Sequence, residues 1–131
     1  MTLQTQDDYD KALKRFCGFC DSVIRTVLLQ FDEGGTRRVE VHIAARDSET
    51  DENEGWVCVR IVVRDVTNFG VREGPRTPIQ VVSHGIHILC IENRVGVEFG
   101  GAIDCPESFE SFYSSDGFAI GGAVEFHVGS Y

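Results

Sequence analysis

Trp56-Val57-Cys58-Val59-Arg60-Ile61-Val62-Val63-Arg64-Asp65-Val66 is the run from which the architecture of the chain follows. Val57, Val59, Ile61 and Val63 recur at every second position and therefore share one face of an extended strand. The other face carries Trp56, Cys58, Arg60, Val62 and Arg64, a mixture suited to partial exposure. The run is longer than a usual strand of ~5–6 residues, so neighbours can pair along its whole length. It predicts a central strand of an antiparallel sheet.

Outward from it, residues 37–45 alternate cleanly, with Val39, Val41, Ile43 and Ala45 inward and Arg38, Glu40, His42 and Ala44 outward. In 23–31, Val23, Val27, Leu29 and Phe31 share one parity, broken only by Arg25. Asp32-Glu33-Gly34-Gly35-Thr36 supplies turn residues between these runs, which predicts a hairpin. Residues 37–45 and 56–66 are expected as antiparallel neighbours. Before them, residues 5–16 read as a helix: Tyr9, Ala12, Leu13 and Phe16 form one apolar stripe, Asp7 or Asp8 can cap the start, and Gly18 suits the stop.

Downstream, 70–78 reads as a Gly-, Pro- and Arg-rich connector. Short strands are expected at 79–82, 86–92 and 95–99. Residues 100–115 are irregular, with a helical turn or two in 106–113. The final run, 117–128, places Phe118, Ile120, Val124, Phe126 and Val128 on one parity. Gly121 and Gly122 mark a bulge or a close backbone approach. These elements predict a single α+β domain: mainly antiparallel sheet of six or seven strands, curved or folded into a sandwich, with the N-terminal helix packed on it.

At 131 residues the chain can bury roughly two-thirds of its unfolded surface without a metal or disulfide. Twenty-one acidic residues against 12 basic ones give a formal charge of −9. That balance argues against nucleic acid, whose phosphates demand Lys and Arg, and against an anionic membrane. It suits a basic protein partner. The polar, acidic opening has no secretory pattern, no run approaches the ~18–20 apolar residues of a membrane span, and the five cysteines suit reduced thiols. A cytoplasmic protein is expected.

The loop 47–55 holds Asp47, Glu49, Asp51, Glu52 and Glu54 and no cation. It reads as a solvated connector or as a recognition patch for a basic partner, with Trp56 and Phe69 as anchors beside it. Cys17-Gly18-Phe19-Cys20 follows a helix, where the dipole disfavours a thiolate, and no second pair sits at zinc spacing. Together with His84 and His87 it forms the metal or thiol-enzyme alternative. Cys105 at a helical start is opposed by Asp104, Glu107 and Glu110. No phosphate loop, nucleophile elbow or calcium loop is present, and no cofactor is expected. A third reading is a self-associating module or homodimer, since exposed strand edges template pairing.

Phe19-Cys20-Asp21-Ser22-Val23-Ile24, followed by the hairpin and the 56–66 strand, resembles small bacterial proteins that open with a Phe-His-Asp segment. Some of these are grouped with immunity proteins that neutralise toxins. The resemblance covers residues 19–66 and departs at Cys20, where the pattern has His. It implies a compact α+β protein acting by binding rather than catalysis.

Overall fold

Strand β4 (Trp56–Arg64) lies inside the larger of two antiparallel sheets, flanked by β3 (Arg37–Arg46) and β10 (Ala123–Gly129). The computed structural model describes residues 2–3, 5–73, 79–102 and 104–129. The larger sheet has the order β1-β10-β4-β3-β2-β6, with β1 at Thr2–Leu3, β2 at Ser22–Phe31 and β6 at Val81–Val82. The smaller has the order β5-β9-β8-β7, formed by Asn68–Val71, Gly117–Gly121, Arg94–Glu98 and His87–Ile91. With helix α1 (Gln6–Arg15) the chain is α+β.

The two sheets share one core. Val39, Val41, Ile43 and Ala45 from β3 and Val57, Val59, Ile61 and Val63 from β4 meet Ile88, Val95, Val97 and Ala119 of the smaller sheet. Alternation thus selects the buried face, as the sequence predicts. Tyr9 and Phe16 of α1 join this core, with Ala12 and Leu13 packed against it. The far side of the smaller sheet is covered separately: Phe112, on the turn Glu110–Ser114, packs with Phe118 and Ile120.

Two of the chain's passages between the sheets, β4 to β5 and β9 to β10, meet at one corner. Asp65 takes a left-handed conformation (φ 54°), and Val66 N–H donates to Arg37 O at 3.0 Å. The return from β9 to β10 passes the same spot, where Gly122 N–H donates to Arg64 O at 2.9 Å. A Cβ on Gly121 would collide with that Arg64 carbonyl, so glycine is required by the close approach. The single expected run 117–128 is therefore two strands in different sheets.

Three further expectations are corrected. The described residues contain ten strands rather than six or seven, because 68–71 pairs with β9, a two-residue strand adds at β1, and the expected run 117–128 divides into β9 and β10. The helix is capped by Thr5 rather than Asp7 or Asp8: Thr5 Oγ1 accepts from Asp8 N–H at 3.1 Å and Asp8 accepts from Thr5 N–H at 3.2 Å. In β2 a bulge at Arg25 shifts the register, so Ile24, not Val23, opposes Ile43 in the core, while Val27 and Leu29 keep their parity. Of the predicted connector, residues 74–78 lie outside the described residues.

Candidate functional site

The loop 47–55 hangs from the end of α1. Arg15 lies in the last helical turn, where a cation suits the helix dipole. Its carbonyl accepts from Ser48 N–H at 2.9 Å. Its guanidinium donates to both Asp47 oxygens, at 3.0 and 2.9 Å. Asp47 also accepts from Glu49 N–H at 2.9 Å, and its own N–H donates to Gly55 O at 2.7 Å, closing the loop at its base.

Asp47 is therefore not a solvated recognition carboxylate. Its side chain is only 3% exposed. The Arg15 hydrogen bonds hold its carboxyl below the usual aspartate range despite burial, and the same bonds raise the Arg15 guanidinium. Glu49 adds an ion pair to Arg15 at 3.1 Å but stays exposed. Asp51 and Glu54 are exposed and line a polar hollow of 410 Å³ with Cys17, Arg46, Asp47 and Thr50. Nothing is described of the Glu52 side chain.

Trp56 follows the loop directly and faces outward on β4, half-buried, with Arg46 over its ring at 5.3 Å. Phe69 is not beside it. It sits on β5 of the other sheet, opposite Ala119, and packs on the core.

The two segments of the metal or thiol alternative lie against each other, a Cβ on Gly85 reaching within 3.2 Å of Cys20 Sγ, but they do not assemble a metal set. Among the described residues no three His, Cys, Asp or Glu side chains could hold a metal ion. His87 faces Glu98, Nδ1 to Oε1 at 3.1 Å, while His84 is exposed in the turn before it. Cys17 and Cys20 are free and exposed around a tight turn in which Cys17, Gly18 and Phe19 all have positive φ. Left-handed backbone costs about 1–2 kcal/mol for each non-glycine residue. Phe19 offsets it: its ring is fully buried, 5.2 Å from Phe16 and 6.2 Å from Phe126. Ile86 N–H donates to Gly18 O at 3.0 Å, tying the turn down. The motif's spacing thus positions an aromatic plug.

Two polar clusters escaped the sequence reading. On the outward face of the larger sheet, cross-strand register aligns His42, Arg60 and His127, and beside them Glu40 and Glu125. Glu40 is pushed up by burial, but His42 at 3.1 Å, Arg60 and Arg38 more than reverse this, leaving its carboxyl below the ordinary range. Glu125 meets Arg64 and His127. Arg38, Arg46, Arg60 and Arg64 outnumber these two glutamates on this face, so the chain's net negative charge resides elsewhere, the 47–55 loop included.

The second cluster is under residues 99–102 and 104–116. Glu98 is wholly buried and accepts from Ser115 Oγ at 2.5 Å and Gly100 N–H at 2.6 Å. A buried carboxylate needs such donors. Ser115 and His87 both approach Glu98 rather than each other, which is not the arrangement that activates a serine nucleophile. No signal in the sequence pairs positions so far apart; Glu98 was legible only as an acidic residue in an apolar run.

No helix is long and apolar enough to cross a membrane among the described residues. The chain matches no protein-family model, no curated protein and no solved structure.

Proposed function

We propose that the protein is a non-enzymatic binding protein, immunity-like in mode, that meets a basic protein partner through the acidic rim of the 47–55 loop. The observation that supports this most is the way the loop is held. Arg15 and Asp47 pin its start, and the Asp47–Gly55 hydrogen bond closes its base. Glu49, Asp51 and Glu54 consequently project from a fixed frame. Preorganised charge loses little ordering entropy on binding and favours fast, selective encounter. Trp56, half-buried at the foot of the loop, is the natural aromatic anchor. A nuclease toxin is a partner of fitting chemistry, because it must carry a basic surface to hold phosphates.

Affinity capture tests this, with the wild-type chain and a Glu49→Gln/Asp51→Asn/Glu54→Gln chain as baits. Wild type should retain a basic protein at ~0.05 M salt and release it at ~0.5 M, where screening is several-fold shorter. The neutralised bait should not retain it. Equal capture by both baits would remove the loop from the account, and capture indifferent to salt would remove the electrostatic mode.

A further inference from the structure

The chain as a whole is strongly acidic, yet the outward face of the larger sheet presents cations to water. Cross-strand register sets this face in rows. Glu40 of β3, Val62 of β4 and Glu125 of β10 form one row, and His42, Arg60 and His127 form the next. The glutamates are folded down, their side chains 10% and 16% exposed, with Val62 buried between them. The side chains of Arg60, Arg64, His127 and His42 are 48%, 45%, 38% and 31% exposed. The carboxylates are consumed within the face, and a ligand arriving from solvent meets positive charge.

Donor capacity on this face is concentrated at its centre. Glu40 Oε1 faces His42 Nε2 at 3.1 Å, and Oε2 faces Arg38 Nε at 3.2 Å. Arg60 reaches the shared Oε1 only at 3.6 Å and makes no hydrogen bond among the described residues. Its guanidinium carries five N–H donors, so nearly all of them are left for a ligand. On either side, His42 and His127 turn Nε2 toward the glutamate of their own strand, at 3.1 and 3.8 Å. Nδ1 of both rings makes no hydrogen bond among the described residues. A neutral imidazole that donates from Nε2 offers Nδ1 only as an acceptor, whereas a protonated one donates from both. These histidines do not belong to a metal set among the described residues.

We propose that this row binds a phosphoryl dianion, with Arg60 at the centre and protonated His42 and His127 flanking it. Neighbouring strands lie about 4.8 Å apart, so the histidines are rooted about 10 Å apart with the arginine midway between them. A tetrahedral phosphoryl group is compact and offers three strong acceptor oxygens, one for each side chain of the row. A planar carboxylate has two oxygens, which Arg60 alone satisfies. Charge favours the same ligand. Arg38, Arg60 and Arg64 against Glu40 and Glu125 leave the face with a net single positive charge, which rises further when the histidines take up protons. Binding of a dianion therefore draws protons onto the row. The remaining neighbours are Cys58 on β4, Thr26 opposite His42 on β2, and Arg25 at the β2 bulge. The row lies two rows from Trp56 along β4, so this site is separate from the acidic loop and independent of the proposed protein interface. Free phosphate and a phosphate ester share the required chemistry.

Histidine ring-proton resonances, followed at constant ionic strength while inorganic phosphate or glycerol phosphate is added, test the site. His42 and His127 should shift together and saturate, while His84, in a turn, and His87, on the smaller sheet, should not follow. Tighter binding of the ester identifies a phosphorylated metabolite as the ligand, and the reverse order identifies the free ion; either upholds the site. Sulfate, a dianion whose own charge does not titrate, should bind about tenfold more tightly at about pH 6 than at about pH 8. Arg60→Gln, at an exposed position outside the core, should weaken every one of these anions about tenfold or more. His42→Gln/His127→Gln should remove the pH dependence of sulfate binding. Four histidines that respond alike, or none that saturates, would overturn the proposal. So would anion binding unchanged by Arg60→Gln, or sulfate affinity indifferent to pH.

Discussion

Replacing Asp47 with Asn probes the hinge between helix and acidic loop. Breaking a buried ion pair by removing one partner costs about 3–5 kcal/mol. Here two features reduce that. Arg15 is 30% exposed and retains Glu49 at 3.1 Å, and the Asn oxygen can still accept from Glu49 N–H. The amide nitrogen, however, presents hydrogens to a guanidinium that has only hydrogens to offer. A loss of about 2 kcal/mol follows, or about 6–8 °C in melting temperature for a chain of this length. The pH dependence has a definite sign. The native Asp47 carboxyl lies below its ordinary value, so its stabilisation is complete above the unfolded-state value of about 4. It is lost as pH falls through that value and then through the native one. Asn does not titrate there. Urea and thermal melts followed by circular dichroism should therefore show the full gap between wild type and Asp47→Asn at neutral pH and a narrowing gap in acid. Equal stability at pH 7, or a gap that persists unchanged into acid, would refute the reasoning.

Other substitutions test other joints. Gly96→Ala places a methyl group inside the Phe112 ring, which is wholly buried against β8, and should cost about 1–3 kcal/mol by overpacking, read in urea melts. Glu98→Gln gives the Ser115 and Gly100 donors a poorer acceptor and adds a buried amide; a loss of about 2–3 kcal/mol is expected, with faster amide exchange in 100–102. Gln6→Ala removes two hydrogen bonds from the edge of β7. It should cost about 1–2 kcal/mol, with increased aggregation on light scattering.

Much of the fold was legible because its core strands obey a period of two. Val39 to Ala45 and Val57 to Val63 alternate without interruption, and their burial, hairpin and antiparallel pairing follow. The stripe from Tyr9 to Phe16 placed the helix in the same way. Where a local device intervened, the reading slipped. Arg25 signalled a break in parity, but only the bulge explains why Ile24 replaces Val23 in the core. Gly121 and Gly122 signalled a close approach, yet the change of sheet depends on the Arg64 carbonyl, which is remote in sequence. The site was less legible for the same reason. Nothing at position 47 distinguishes the aspartate that binds Arg15 from the carboxylates around it, since the partner lies 32 residues away. Trp56 and Phe69 looked equivalent as anchors, and only the topology assigns them to different sheets.

Trp56 is the single tryptophan of the chain and adjoins the loop, so its fluorescence reports on the proposed surface directly. The most direct measurement is a titration of its emission with a short arginine-rich peptide, in wild type and in the Glu49→Gln/Asp51→Asn/Glu54→Gln chain. The account predicts a saturable change in wild type that weakens about tenfold or more in the neutralised chain and fades with added salt. An identical response in both chains, or a peptide that binds without altering Trp56, would contradict it.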